Sequence, residues 1–288
     1  ETDLNHLERL LELSEREVAR TRAEPALNQL AQLYRQRFHG CRESFSLKYG
    51  RQLLQVLAEL QASGRIEIIT SCASHGFLPT LALAPESVRA QVGVAVRSHI
   101  RNFGSYPKGF WLPECGYYPG VEEYLKEFDL RFTFLEAHGV LYADKRPRYG
   151  VYAPLACPNR VAAFARDPDS ARAVWSSDEG YPGDPVYREF YRDIGFELPL
   201  EELKDFLHDG GLRTYTGIKY YAIGGPEGEK KLYNRKIALR KVEEHAEHFV
   251  RARLQQAEKL RPHMDRPPLI VCPYDAELFG HWWFEGPE

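Results

Sequence analysis

Three carboxylates stand directly after short apolar runs that are typical of buried strands. Glu114 follows the letters FWLP, Glu136 follows FTFL, and Asp275 follows LIVCPY. In parallel α/β folds the loops after the strands build the active site, so these side chains are expected at one edge of a sheet. Two converging carboxylates are what glycosidic cleavage needs: one attacks the anomeric carbon and the other protonates the leaving oxygen. In the retaining form of this chemistry they lie about 5–5.5 Å apart.

Each of these carboxylates has an ordinary alternative, because an acid after a strand can cap the next helix or pair with an arginine. The flanking residues favour chemistry, since aromatic faces stack on the apolar C–H face of a sugar. Packing in the core is the competing explanation for each ring. The rings near Glu114 and Asp275 are Trp111, Tyr117, Tyr118, Tyr274, Trp282 and Trp283, with His281 beside them.

Three histidines are further candidates. His75 ends the first predicted strand, where it can donate a hydrogen bond to a sugar hydroxyl or to the nucleophile, although a structural role is the commoner one. His245 and His248 have the i, i+3 spacing of a zinc pair on a helix. A solvated, charged helix face gives the same letters, and we predict no metal site.

The elements that must position these residues alternate between strands and helices. This order is typical of an α/β fold with a parallel sheet and right-handed crossovers, most simply a barrel. Residues 1–62 are predicted to be rich in helix. Residues 145–164 are predicted to form a hairpin excursion, and residues 191–234 a long insertion. The predicted strands are 65–70, 109–112, 131–135 and 269–272, and the predicted helices are 85–102, 121–128 and 234–260.

Composition narrows the class of protein. The 288 residues carry 38 Lys and Arg against 41 Asp and Glu, a net charge of −3, without the basic excess that binding to nucleic acid needs. No apolar run approaches the roughly 20 residues that cross a bilayer. The five cysteines are odd in number and scattered, which fits free thiols in a reducing compartment. These features predict a soluble, cytoplasmic protein with no nucleic-acid or membrane partner.

Longer motifs carry a resemblance to a known family. The stretches WLPECGYYPG around Glu114 and PYDAELFGHWWFEGP around Asp275 resemble two signature motifs of glycoside hydrolase family 57, and GRIEIITSCASHGFLP at 64–79 resembles a third. The stretch ARDPDSARAVWSSDEGYPGDPVYREFYRD at 165–193 is similar to the branching enzymes of that family, more than to its amylases or 4-α-glucanotransferases.

This resemblance implies an incomplete (β/α)7 barrel, no metal or organic cofactor, and a double-displacement retaining mechanism. It implies that Glu114 is the nucleophile and Asp275 the general acid and base. It further implies that the α-glucan substrate is contacted by Arg166, Trp175, Gly183, His75 and Trp283. The whole chain, residues 1–288, is then expected to be one catalytic barrel domain truncated at both ends, with the insertion at about 191–234.

The activity implied is cleavage of an α-1,4 bond of a glucan and formation of an α-1,6 branch. An α-amylase or 4-α-glucanotransferase would use the same two carboxylates. A metal-dependent polysaccharide deacetylase on a similar barrel would need a strand-end aspartate with two histidine ligands. A non-catalytic glucan-binding protein is the remaining alternative. The oligomeric state does not follow from the sequence.

Overall fold

The computed structural model describes residues 2–206, 211–224 and 230–288, and helices alternate with strands between Thr70 and Ala165. The predicted α/β class is confirmed. The strands are β1 (Thr70–Ser71), β2 (Gly109–Trp111), β3 (Phe132–Leu135), β4 (Leu155–Ala156) and β5 (Ala162–Ala165). The α-helices are α1 (Thr2–Arg20), α2 (Pro25–Glu43), α3 (Leu53–Ala62), α4 (Leu78–Leu81), α5 (Pro85–Phe103), α6 (Val121–Glu127), α7 (Ala137–Leu141), α8 (Pro168–Trp175), α9 (Ile194–Glu197), α10 (Leu200–Leu203) and α11 (Arg235–Leu260).

The chain divides into two compact units. Unit 1 is formed by Glu1–Gln52, Arg172–Phe249 and Tyr274–Glu288, and unit 2 by Leu53–Ala171 and Val250–Pro273. The arrangement as a single catalytic domain stays a prediction. In the described part of the chain, no helix has a stretch long and apolar enough to span a membrane.

Unit 2 contains a five-stranded sheet in the order β1-β2-β3-β5-β4. The first four strands of this order are parallel, with Phe110 opposite Thr70 and Thr133 opposite Phe110. β3 and β5 pair over four residues, from Phe132 opposite Ala162 to Leu135 opposite Ala165. β4 pairs antiparallel with β5. Because all four parallel strands run the same way, their carboxyl ends lie along one edge of the sheet.

Helices cover one face of this sheet and position its strands. Phe110 and Leu112 on the β2 segment are fully buried in a core that includes Val92 of α5 and Leu125 of α6. Helix α5 begins with a proline in its first turn, where the missing N–H costs nothing, and ends at Gly104 in a left-handed conformation that a side chain would disfavour. These terminal signals explain why the predicted helix at 85–102 is observed as Pro85–Phe103.

The opposite face of the sheet carries a row of aromatic rings. Phe132, Phe134 and Phe164 pack with centroid separations of 5.7–6.0 Å, and Trp111 lies 5.9 Å from Phe134. Gly109 allows this packing, because a Cβ there would lie 2.4 Å from the Phe132 ring. The rings therefore hold neighbouring parallel strands at a fixed register.

Two predicted elements differ from the observed ones. The predicted hairpin at 145–164 is present as the β4–β5 pair, but β5 also joins the parallel sheet beside β3, which the sequence did not indicate. The predicted strand at 269–272 is not part of the sheet. The backbone of this segment forms hydrogen bonds with loop residues instead. The N–H of Leu269 donates to Tyr152 O, and Val271 O accepts from the N–H of Asp167.

Unit 1 contains the contacting helices α1 and α2 and the segment that begins at Arg172. Tyr34 of α2 is buried and donates a hydrogen bond to Lys219 O at 2.7 Å. Arg188 is buried too, and its Nε lies 2.7 Å from a carboxylate oxygen of Glu285. A buried ion pair stays satisfied only when both partners are held in place, so it fixes the chain on either side of Arg188. The described part of the 191–234 segment belongs to this unit.

The buried face of α6 gives a direct test of the packing. Leu125 is fully buried, whereas Leu83 is 96% exposed. We expect Leu125→Ala to lower the free energy of unfolding by about 2–5 kcal/mol, since the deletion leaves a cavity in the core under β2. Leu83→Ala is the matched control, with an expected change within about 0.5 kcal/mol. Denaturant unfolding measures both, and equal losses for the two variants would contradict the packing described.

Candidate active site

Each of the four parallel strands is followed by a polar residue at the same edge of the sheet. His75 comes after β1, Glu114 after β2, Glu136 after β3 and Arg166 directly after β5. The strand order is β1-β2-β3-β5, so these residues follow one another along the edge. All four belong to unit 2, in which His75 lies beside Glu114 and Arg166 pairs with Glu136.

Glu114 sits in a turn with unusual backbone geometry. Its φ and ψ are 54° and 24°, and the φ of the next residue, Cys115, is 52°. Left-handed conformations cost residues other than glycine about 1–3 kcal/mol, so the surroundings must enforce them. Pro113 and Cys115 are buried, and the N–H of Cys115 donates to Leu112 O at 2.8 Å. The Glu114 side chain is 77% exposed. The turn therefore anchors the backbone in the core and projects the carboxylate outward.

His75 has the same kind of backbone. Its φ is 53°, and its N–H donates to Cys72 O at 3.1 Å. The Nε2 atom lies 3.8 Å from a carboxylate oxygen of Glu114, which is longer than a hydrogen bond but within the range of a charge interaction when the ring is protonated. Two neighbouring strand ends thus carry left-handed, non-glycine residues whose side chains meet. Such outliers cluster at functional sites.

Glu136 and Arg166 form an ion pair between the ends of β3 and β5. The Nε atom of Arg166 lies 2.7 Å from Oε1 of Glu136, and the Arg166 side chain is only 13% exposed. The thiol of Cys115 lies beside this pair: burial, and then the charge of Glu136, raise its pKa to about 11. The residue after Glu114 therefore rests against the pair. No local pattern of residues indicates this pairing.

A cavity of about 890 Å³ opens at this edge of unit 2. It is large enough for several sugar rings. Glu114 and Glu136 both line it, together with Phe77 and Tyr117, and Lys145 and Arg146 stand on its wall. The hydroxyl of Tyr117 donates to Glu122 at 3.0 Å, which fixes that ring, and burial raises the pKa of this hydroxyl. A mixed wall of aromatic rings and carboxylates is suited to a carbohydrate.

The remaining predicted site residues belong to unit 1: Asp275, Trp175, Gly183 and Trp283. Asp275 is exposed and precedes a short turn at Ala276–Leu278, in which the N–H of Leu278 donates to Asp275 O at 3.2 Å. Trp175 and Gly183 line a cavity of about 500 Å³ in this unit. A Cβ at Gly183 would lie 1.8 Å from Ser177 O, so the loop closes on itself only with glycine there.

The two adjacent tryptophans after Asp275 have opposite environments. Trp283 is 8% exposed, belongs to the core of unit 1 and stacks on Tyr181 at 6.1 Å. Trp282 is 49% exposed and lies parallel to Phe190, with ring centroids 4.6 Å apart. A substrate contact by Trp283 stays a prediction. The exposed ring of this pair is Trp282.

The two histidines of α11 have tyrosine partners. His245 Nδ1 is 2.8 Å from the hydroxyl of Tyr187, and His248 Nδ1 is 2.8 Å from that of Tyr181. Burial lowers the pKa of His245. In residues 2–206, 211–224 and 230–288, no group of three or more His, Cys, Asp or Glu side chains is placed to hold a metal ion. The two tyrosine–histidine contacts therefore fix the loop that contains Gly183 against α11.

Parallel strand ends that carry two carboxylates beside a wide cavity define an α/β protein with a candidate site for glycosidic chemistry. Residues 4–264 match the sequence profile of Glycosyl hydrolase family 57, and the chain belongs to that family.

Similar proteins include both branching enzymes and an amylase. A 1,4-alpha-glucan branching enzyme from Thermococcus kodakarensis is 36% identical over 262 residues. The alignment covers 80% of this chain and 35% of the length of that enzyme. The alpha-amylase AmyC from Thermotoga maritima is 44% identical in sequence, and its crystal structure matches with a TM-score of 0.91. The match covers 99% of this chain and 55% of the AmyC chain. The crystal structure of a GH57-type branching enzyme from Pyrococcus horikoshii matches with 31% sequence identity and a TM-score of 0.78. The match covers 98% of this chain and 51% of that enzyme's chain. The chain thus spans about a third to a half of these relatives' lengths.

The close approach at Gly183 makes a sharp prediction. Gly183→Ala forces the backbone away from Ser177, and we expect it to lower stability by about 1–3 kcal/mol, as overpacking does. If the loop contacts substrate, kcat/KM on amylose should fall as well. Gly40→Ala in α2 is the control, because a Cβ there meets nothing within 4 Å. Thermal unfolding and amylose assays on the full-length protein decide, and an unperturbed Gly183→Ala variant would show that the loop does not need glycine.

Proposed function

We propose that the protein is a retaining transglycosylase that cleaves α-1,4 bonds of a glucan and forms α-1,6 branches. The observation that carries this proposal is Glu114. It stands at a strand end in a backbone conformation that the core enforces, its carboxylate is exposed in a wide cavity, and His75 lies beside it. A carboxylate fixed in this way is suited to attack on an anomeric carbon. The motif around Asp275 supplies the second acid of the pair.

In the first step, the carboxylate of Glu114 forms a bond to the anomeric carbon of a glucose unit. The glycosidic C–O bond breaks, and the leaving oxygen takes the proton of Asp275. In the second step, the 6-hydroxyl of an acceptor glucan gives its proton to Asp275 and bonds to the same carbon. Glu114 then leaves as a carboxylate. Neither step calls for a metal or an organic cofactor.

The other residues have binding roles in this proposal. Arg166, held by Glu136 at 2.7 Å, offers guanidinium N–H donors to sugar hydroxyls, and His75 is placed to contact the sugar at Glu114. Trp175, Gly183 and Trp283 complete the glucan contacts. Glu136 is a weaker candidate for the nucleophile, because its carboxylate is already engaged by Arg166.

A second candidate function is hydrolysis, as in an α-amylase. It is favoured by the similarity to the alpha-amylase AmyC, which is 44% identical to this chain. The first step is unchanged, and water replaces the acceptor hydroxyl in the second. The identity of the branching enzyme from Thermococcus kodakarensis, 36% over 262 residues, supports transfer, as do the motif letters at 165–193. We place the activity in the cytoplasm, in the branching of glycogen or starch.

Linkage analysis separates the two functions. The full-length protein is incubated with linear amylose, and the product is treated with a debranching enzyme. We expect new α-1,6 linkages and a rise in short chains after debranching, without a matching rise in reducing ends before it. Shorter linear chains with one new reducing end per cleavage would instead establish hydrolysis. Glu114→Gln is the control and should abolish both outcomes, since an amide is a poor nucleophile.

A further inference from the structure

The 191–234 segment, to which the sequence assigned no chemistry, presents exposed aromatic rings grouped around Phe190. We call this group the aromatic platform: Phe190, Tyr191, Phe196, Tyr215 and Trp282. The Phe190 centroid is 4.6 Å from Trp282, 5.0 Å from Tyr191 and 5.3 Å from Tyr215, and Tyr215 is 4.6 Å from Phe196. All five belong to unit 1.

The outer rings of the platform are accessible. Tyr191 is 73% exposed, Trp282 49%, Phe196 43% and Tyr215 41%. Isolated exposed rings are common on protein surfaces, but a contiguous group marks a binding surface. These four surround a less exposed central ring.

A buried pair of charged side chains, Lys219 and Asp193, fixes the backbone next to the aromatic platform. The Lys219 side chain is buried, and its Nζ atom donates to Phe190 O and lies 5.3 Å from the Phe190 ring and 5.2 Å from the Tyr215 ring. Asp193, also fully buried, lies 3.7 Å from that ammonium and accepts a hydrogen bond from the N–H of Thr216 at 3.0 Å. The backbone beside two platform rings is therefore fixed by one buried pair. A surface that is rigid before binding loses less entropy when a ligand arrives.

The platform is continuous with the cavity that contains the predicted glucan contacts of unit 1. Phe190, Tyr191 and Trp282 line the same cavity of about 500 Å³ as Trp175 and Gly183. Phe196 and Tyr215 extend the aromatic surface beyond it. A glucan bound at Trp175 would thus meet further rings in the direction of Tyr215, and the C–H faces of its sugars are the complement of such rings.

We propose that the aromatic platform is an outer binding site for a long α-glucan chain, with Tyr215, Phe196 and Tyr191 as its stacking residues. This inference rests on the proposed action on α-glucan and adds to it a site that selects long chains over short ones. A chain of a few sugars occupies the cavity alone, whereas a long chain also reaches Tyr215 and Phe196.

The test compares long and short substrates on the full-length protein. For Tyr215→Ala and Phe196→Ala, which lie beyond the cavity, we expect KM for amylose to rise about two- to tenfold, the loss of one aromatic contact, with kcat on short maltooligosaccharides and KM for them unchanged. Tyr215→Phe keeps the ring and should keep the amylose KM. Tyr106→Ala is the matched control, because Tyr106 is 61% exposed and belongs to unit 2. Affinity electrophoresis in amylose gels gives a binding readout that does not depend on turnover.

Two results would overturn the site alone. The first is an active enzyme whose Tyr215→Ala and Phe196→Ala variants retain the parental amylose KM and gel retardation. The second is a fall in melting temperature for these variants with unchanged amylose affinity, which would make the platform a packing surface for another part of the protein. A wild-type enzyme that neither binds nor converts any α-glucan would instead overturn the proposed function, and the site with it.

Discussion

The parallel hydrogen bonding of β1, β2, β3 and β5 is the constraint on which the candidate site depends. Residues far apart in sequence end at one edge only because these strands run in the same direction in this order. The register is held by the aromatic rings on one face, by the buried helix contacts on the other, and by the close approach at Gly109. A shift of one residue in any strand would turn the following side chain to the other face.

The strained backbone at the carboxyl edge of the sheet is held by its neighbours. Glu114, Cys115 and His75 all have positive φ, and each is next to buried or hydrogen-bonded neighbours that prevent relaxation. The Glu136–Arg166 ion pair lies beside Cys115, so the strained turn is supported by an ion pair as well as by apolar contacts. A side chain positioned by its backbone needs few side-chain restraints, which fits the exposure of the Glu114 carboxylate.

Several features of the fold and site followed from the sequence because they depend on local signals. The runs before Glu114 and Glu136 contain aromatic residues typical of strands, and α5 has a proline start and a glycine end. β5 was predicted only as part of a hairpin, since its letters, AAFA, lack β-branched residues and its parallel pairing with β3 is a long-range contact. The Arg166–Glu136 pair and the opposite burial of Trp282 and Trp283 are tertiary effects, and no local pattern distinguishes two adjacent tryptophans.

The proposed role of Glu114 as the nucleophile is best tested by trapping its covalent adduct. An α-glycosyl fluoride needs little protonation of its leaving group, so the Asp275→Asn variant of the full-length protein should still form the first bond but turn over slowly. Peptide mass spectrometry of the quenched enzyme should then find one added sugar on the peptide that contains Glu114, and none in Glu114→Gln. A sugar on the peptide that contains Glu136, with Glu114 unmodified, would contradict the account.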